Sequence, residues 1–447
     1  MKITASDEFL TAVSSGNNEP EWLRAYRIKS LSKFFALPYE QEELFKKYVE
    51  RENEFYTDGK DYVYELPMNK KVGAVPNADN LSFITSGFAY SKYQEEQGIT
   101  IRDIIPAAKR IPEFRNLIVS HPTDKLQAFN DAVFNAGVVV CLNQNKILKE
   151  PVRLISFLDK DKSVLSTKNV IIAEDGSELH VVEEIYSSPG VSGFFGENLE
   201  VHIGRDAKVN VTIIQNLGSG IVASLNRDID TRGAVTVSSI ELGGSAIRYR
   251  LNSRLVEPNA TSDMYEAFFG DKTQRLDSLS RLIHVSRATQ SRFFSRGVLR
   301  DSSSSSLKGV IKIEKEAKNS YAYLSEHSLT LSKKAKSNAV PSLEIKTDDV
   351  KATHSASSQP IDTDKLFYLM SRGLTPAEAE REISIGYIDQ VMAHIPSQSL
   401  KSHILKMIGH KWDRVDASPL PAEIDDYLAD SVLKETVFAG HYKYKTT

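Results

Sequence analysis

Two spacings of apolar residues divide this chain. From Glu21 to Leu31 the residues Trp22, Leu23, Tyr26, Ile28 and Leu31 recur at helical intervals, which predicts an amphipathic helix laid on a core. Pro38 interrupts it, and Glu40 to Phe55 reads as a charged helix with Leu44, Phe45 and Tyr48 on one side. Thr123 or Asp124 can cap a further helix through Leu126, Phe129, Val133 and Phe134, which Gly137 ends. Helical spacing then disappears. Val138 to Leu142 is a continuous apolar run, and from Val152 to about residue 362 β-branched residues alternate with polar ones between small or glycine-containing turns, the pattern of strands.

Within that tract the turns recur. They precede alternating strands in DGSELHV, GRDAKVNV, RGAVTV, PNATSDM, RATQSRF, EKEAKNSY and KKAKSNA, with a small residue at 177, 207, 234, 260, 288, 317 and 335. Most of these positions lie 26 to 30 residues apart, and only the last interval is shorter. Such a period without helices is produced by stacked β coils, because one coil buries its inward face only against its neighbours. Val201/Ile203, Val209/Val211/Ile213, Ile247/Tyr249/Leu251 and Ile311/Ile313 put apolar side chains on one face of successive strands, as a solenoid requires. A sandwich, with turns every 8 to 12 residues, would not carry the longer period.

Helices return at the C-terminal end. Asp362 or Thr363 caps a segment carrying Leu366, Phe367, Leu369 and Met370 that stops at Gly373. Thr375, Pro376 and Glu378 then supply the N-cap, first and third positions of a capping box for a helix reaching toward Pro396. Two more helical patterns span Leu400 to Ile408 and Ala422 to Val432.

Composition narrows the class. A chain of 447 residues exceeds one ordinary domain of ~100–200 residues. With 56 basic against 59 acidic side chains there is no electrostatic footprint for nucleic acid. MKITASDEFL lacks an apolar signal core and no apolar run approaches a membrane span, so a cytoplasmic protein is expected. Cys141 is the only cysteine, in VVVCL, where it reads as a buried small hydrophobe. There is no P-loop, H-E-x-x-H, C-x-x-C or G-x-S-x-G motif. The run Ser302 to Ser306 reads as a polar loop or serine ladder. Glu183/Glu184 and Asp348/Asp349 are adjacent carboxylates, which on a strand point to opposite faces. His284, His327 and His354 fall in the last three coils and are expected to stack if those coils are in register; Glu326 beside His327 would add an oxygen donor to an iron or zinc site.

The stretch from RGVLRDSSSSSLKGVIKIEKEAKNSYAYLSEHSLTL through PSLEIKTDDVKATHSAS, followed by LFYLMSRG and AEAEREISIGY, resembles the SufB/SufD family of iron–sulfur cluster assembly scaffold proteins. The likeness extends weakly to EPEWLRAYRIKSLSKFFALP and FNDAVFNAGVVVCLNQNKILKEPVRL. It implies a mainly β fold: a right-handed parallel β-helix (solenoid) core with α-helical N-terminal and C-terminal domains. The corresponding boundaries are an N-terminal helical region at 1–120, a helix and entry strands at 121–165, the β-helix core at 166–358 and a C-terminal helical domain at 359–447. Where SufB-type chains carry a cysteine in C-D-S-L, this chain has Glu326 in E-H-S-L, and His354–Ser355 stands where SufB has His–Glu. The PSLEIKTDDVKATH pattern is similar to the SufD type, although Ala352 replaces a cysteine common there.

The resemblance implies a non-catalytic scaffold subunit that pairs through its β-helix with a SufB-like subunit. A SufC-like ABC ATPase would dock on the C-terminal helices, at Leu366, Phe367, Tyr368, Arg372, Glu378, Arg381 and Tyr387. His354 becomes the candidate ligand for iron or an iron–sulfur cluster shared with the partner, with Asp349, Asp348, Glu326 and His327 as supporting residues. A flavin in the complex is also among what the resemblance implies. The alternatives are a SufB-like homodimeric scaffold and, from another class, a carbohydrate-active β-helix enzyme using carboxylates such as Glu241 and Asp263.

Overall fold

A computed structural model describes residues 6–40, 43–46, 63–64, 82–84, 98–110, 122–149 and 151–415. Of the expected helix over Glu40 to Phe55, only Glu43–Lys46 is helical within these residues, and the pattern at Ala422 to Val432 lies outside them.

Among the described residues the helices are α1 (Asp7–Gly16), α2 (Glu21–Ala36), α3 (Glu43–Lys46), α4 (Ile104–Arg110), α5 (Lys125–Val133), α6 (Thr363–Ser371), α7 (Pro376–Met392) and α8 (Gln398–Trp412). The strands begin with β1 (Val63–Tyr64), β2 (Ser82–Ile84), β3 (Ile99–Asp103) and β4 (Val138–Leu142). They continue as β5 (Val152–Leu158), β6 (Ser163–Ala173), β7 (Glu178–Ser187), β8 (Ser192–Ile203), β9 (Lys208–Asn216), β10 (Gly220–Thr231), β11 (Ala234–Glu241) and β12 (Ala246–Leu255). The last are β13 (Thr261–Gly270), β14 (Arg275–His284), β15 (Gln290–Leu299), β16 (Ser304–Ile313), β17 (Ser320–Thr330), β18 (Lys336–Ala339), β19 (Ser342–Ile345) and β20 (Val350–Pro360).

Odd-numbered strands from β5 to β17, with β20, build one sheet; even-numbered strands from β4 to β18 build the other. Neighbours within each sheet are parallel, except that β3 runs antiparallel to β4. The chain therefore winds from sheet to sheet through about eight turns, the parallel solenoid expected from the repeat.

The turn that sets the period is visible in backbone angles. Gly176, Asp206, Asn259, Ala288 and Asn319 adopt φ of 69°, 58°, 64°, 57° and 58°. Each is followed by a small, fully buried residue: Ser177, Ala207, Ala260, Thr289 or Ser320. The left-handed residue reverses the chain, and its N–H joins the next coil: Gly176 to Arg205 O at 2.8 Å, Ala288 to Lys318 O at 2.7 Å, Asn319 to Asp349 O at 2.6 Å. Strand register places the equivalent positions at 177, 207, 233, 260, 289, 320 and 350, small in all but Val350, just before the paired Glu178, Lys208, Ala234, Thr261, Gln290, Tyr321 and Lys351. The expected positions 234, 288, 317 and 335 are thus corrected. Position 234 was one residue late and 288 one residue early, 317 was early because its turn is longer, and 335 precedes β18 in the opposite sheet.

Two kinds of side chain fill the interior. Val181, Val211, Val237, Met264, Phe293 and Leu324 form one apolar column in register, each burial contributing about 1.5–3 kcal/mol. Beside it lie polar groups: Glu183, Glu197, Arg227, Ser239, Glu241, Tyr249, Glu266 and Glu326, all buried. Arg227 Nε donates to Glu197 at 2.9 Å and its Nη1 to Glu241 at 3.1 Å, with the guanidinium 4.8 Å above the Tyr249 ring. Ser305 Oγ and Ser337 Oγ are joined at 2.8 Å, so part of the serine run does form a ladder.

The outer faces carry the helices. Leu10, Leu31, Phe34, Leu126 and Val133 of α1, α2 and α5 pack on Val164, Phe194 and Ala246 of the even-numbered sheet. Charge locks this contact. Lys168 Nζ donates to Asp131 and Glu200, both at 2.7 Å, Arg248 grips Asp124 at 2.6 Å, and Lys308 reaches Asp277 at 2.8 Å and Glu40 at 3.2 Å. Burial pushes the Asp124 carboxyl up, but Arg248 and Arg250 outweigh it and hold the group below the usual carboxylate range. On the opposite sheet Ile388, Val391, Met392, Leu400, Ile404 and Met407 of α7 and α8 cover Ile214, Ile240, Phe269 and Val298. Cys141 is half-buried rather than in the core, and burial, with Glu174 nearby, pushes its thiol up, away from a reactive thiolate.

Candidate functional site

Both ends of the solenoid are edge strands among the described residues. At the first, β3 pairs only with β4 and β2 only with β5; at the last, β18, β19 and β20 pair only inward. Edge strands present unpaired N–H and C=O groups, and here the side chains are exposed too, with Ile345 at 44% and most of β20 open to solvent.

His354 sits on this edge. In register with Leu324, it follows Val181, Val211, Val237, Met264, Phe293 and Leu324, so an imidazole stands where the apolar interior column reaches the open end. It is exposed, and its imidazole makes no hydrogen bond within the described residues. Asp348 and Asp349 are exposed in the turn before β20; the Asn319 side-chain amide lies 3.2 Å from Asp349 Oδ2.

The three histidines do not stack. His284 belongs to β14 in the even-numbered sheet, whereas His327 and His354 lie on β17 and β20 of the other. His284 is fully buried between Thr289 Oγ1 at 2.8 Å and Ser291 Oγ at 2.7 Å, and burial pushes its imidazole down to about 4, so it is a neutral structural group. His327 is in register with Arg296 and Ser357 and meets Ser357 Oγ at 2.5 Å and Ser355 Oγ at 3.2 Å. Glu326, its neighbour, turns into the interior instead. The pair is split because successive residues of a strand face opposite ways. Among the described residues no three His, Cys, Asp or Glu side chains converge as a metal cage.

Glu241 and Asp263 are likewise separated. Glu241 is interior and paired with Arg227, while Asp263 is outside, gripped by Arg292 at 2.8 Å. They cannot flank one glycosidic bond, which requires both carboxyls to face the same sugar.

A second exposed surface lies just beyond the edge. Asp362 caps α6 through the N–H groups of Asp364 and Lys365, yet α6 buries none of its residues. Phe367, Tyr368 and Met370 are 72%, 56% and 39% exposed, and Arg372 lies 5.3 Å over the Tyr368 ring. Leu366 is half-buried. Glu378 closes the capping box of α7, accepting from Thr375 N at 2.8 Å, so its carboxylate has a structural task. Arg381 pairs with Glu382 at 3.4 Å, and Tyr387 packs toward the core beneath α7. The open apolar surface is therefore on α6, with α7 as its support.

No signal in one sequence distinguished the interior carboxylates from exterior ones before the register was known. Glu183, Glu241, Glu266 and Glu326 would have emerged from phase alone, counted from the small residue of each turn.

Comparison with known proteins agrees with this architecture. Residues 156–387, half of the chain, match the model described as SUF system FeS cluster assembly, SufBD core domain. The chain is 27% identical over 434 residues to the iron–sulfur cluster assembly protein SufD of Bacillus subtilis (strain 168), covering 92% of this chain and 98% of that protein. It is 23% identical over 421 residues to iron–sulfur cluster assembly SufBD family proteins of Staphylococcus saprophyticus and Staphylococcus aureus (strain USA300), covering 88% of this chain and 90% of each. The eight-turn solenoid, its helical ends and the matched core together make this chain a SufD-like member of the SufBD family of iron–sulfur cluster assembly proteins.

Proposed function

We propose that this chain is a non-catalytic scaffold subunit of a cytoplasmic Suf-type assembly complex, in which the terminal coil meets a SufB-like subunit and α6 docks a SufC-like ATPase. The observation that carries the reading is the last coil, where β18 to β20 pair only inward among the described residues and most side chains of β20 are exposed. A parallel edge of that kind accepts a second chain by continuing the hydrogen-bond ladder. His354 stands on that edge with its imidazole uncommitted, so it can offer one nitrogen to iron of a nascent cluster, the cargo of the complex, whose remaining ligands come from the partner. The exposed Phe367, Tyr368 and Met370 give α6 an apolar surface suited to the ATPase, and ATP hydrolysis belongs to that partner.

Co-expression with the organism's SufB-like and SufC-like proteins tests this. A stable three-component complex is expected; Phe367→Asp should release the ATPase alone, and His354→Ala should leave the complex assembled with reduced iron and sulfide content. Failure of the wild-type proteins to associate contradicts the scaffold reading, and unchanged iron content in the His354 variant removes the ligand role.

A further inference from the structure

The interior acids form an ordered series. Ser239, Glu266, Ser295 and Glu326 are register partners on β11, β13, β15 and β17, so a hydroxyl and a carboxyl alternate along the axis at the strand spacing of about 4.8 Å. Glu266 Oε1, Ser280 Oγ, Ser295 Oγ and Glu326 Oε2 are fully buried and have no hydrogen-bond partner in the protein. From the facing sheet, Ser278 Oγ donates to Glu266 at 3.4 Å, and Gly309 leaves the room that Glu326 occupies, since a methyl group there would sit 2.9 Å from Glu326 Oε1. Unsatisfied buried polar groups in such numbers recruit ordered water.

We propose that Glu266, Ser295 and Glu326, joined by buried water, form an internal proton relay along the solenoid axis, ending one coil beneath the terminal strand. It does not rest on the scaffold reading. A serine hydroxyl donates one hydrogen bond while accepting another, so Ser295 can link the two carboxyls. In one passage Glu326 gives its proton to solvent water at the open coil, a buried water protonates Glu326 and takes the Ser295 hydroxyl proton, and a second buried water returns a proton to Ser295 and takes the one from Glu266, which is left ionised for refilling. No electrons move, and the proton count is conserved.

Burial, with Glu241 and Glu326 nearby, pushes Glu266 up to about 8; burial alone does the same for Glu326. Both carboxyls are then loaded near neutrality. The other charged and titratable groups facing the column fix its inner end: Arg227 on β10 is held by Glu197 of β8 and Glu241 of β11, and Tyr249 on β12 is buried so that it retains its proton. Glu183 on β7 is raised by burial and by Glu197. β14 contributes Ser278 and Ser280, and β16 contributes Gly309, so no further charge faces the pair from that side. Beyond Glu326 the column continues to Ala356 on β20, where the chain offers no further relay group.

Infrared difference spectroscopy of the full-length protein, titrated between pH 5 and pH 9, tests the proposal. At neutrality, protonated-carboxyl bands are expected that diminish in Glu266→Gln and in Glu326→Gln. In Ser295→Ala both bands should persist, but hydrogen–deuterium exchange of the inner carboxyl should slow roughly tenfold, the loss of one hydrogen-bonded link, and Ser295→Thr should restore it. Carboxylates fully ionised at neutrality, or exchange in Ser295→Ala at the wild-type rate, would overturn the relay. The serine variants keep the test open even if a glutamine variant does not fold.

Discussion

Replacing Arg227 by Met removes the cation that holds Glu197 and Glu241 inside the solenoid, through bonds of 2.9 and 3.1 Å. The two carboxylates then stand where Glu266 and Glu326 already stand, buried without a facing cation. Those two show the cost, because their pKa is pushed from 4.5 to about 8. A carboxyl kept protonated at pH 7 in the fold but ionised in the unfolded chain costs about 3 kcal/mol, at ~1.36 kcal/mol per pH unit. Two such groups give about 7 kcal/mol at pH 7 and about 2 kcal/mol at pH 5. The sign follows from the direction: the folded state binds more protons, so stability is lost as pH rises above the ordinary glutamate value. Urea unfolding of Arg227→Met followed by far-ultraviolet circular dichroism at pH 5 and pH 8 reads this directly. Adding Glu197→Gln and Glu241→Gln should abolish most of the pH dependence. A deficit equal at both pH values would show that lost packing, not uncompensated charge, sets the cost, and the reasoning would fail.

Three more expectations are independent of that column. Ala288 holds φ 57° where the neighbouring coils use Asn259 and Asn319, so Ala288→Asn should stabilise by about 0.5–1 kcal/mol and Ala288→Val should destabilise, both read as shifts in the urea midpoint. Lys308→Met removes one of the two buried cations that hold Glu40 and Asp277, leaving Arg250, at a cost of about 1–3 kcal/mol. Hydrogen exchange should show this as lost protection in α2 and α5 while β8 and β10 keep theirs. Thr375→Ala removes the side-chain half of the α7 capping box, the hydroxyl that accepts from Glu378 N–H, and should cost about 1 kcal/mol, seen as faster exchange in the first turn of that helix.

The sequence made the solenoid legible because stacking forces a period, and Ser177, Ala207 and Ala260 mark it directly. The turn at RATQSRF was legible but placed one residue early, on Ala288, since alanine does not announce a left-handed backbone as the glycine at 176 and the asparagines at 259 and 319 do. His354 was legible as the last histidine before the helices, but its relation to Leu324 and Met264 depends on register, which one misplaced turn shifts by a face. For the same reason His284 and His327 looked like neighbours. Counting coils gives their order along the axis, and only strand alternation says which sheet each occupies. The capping box at Thr375 needed no such long-range information, because all its partners lie within one turn.

A stack whose coils touch only the coils beside them has a gradient of local stability along its length. In this chain the helices and their buried ion pairs anchor the early coils, whereas β18 to β20 have support from one side. The last coil is consequently the first to open and the last to be consolidated. Whatever adds to that edge also completes the stack, so local ordering and association there draw on the same free energy.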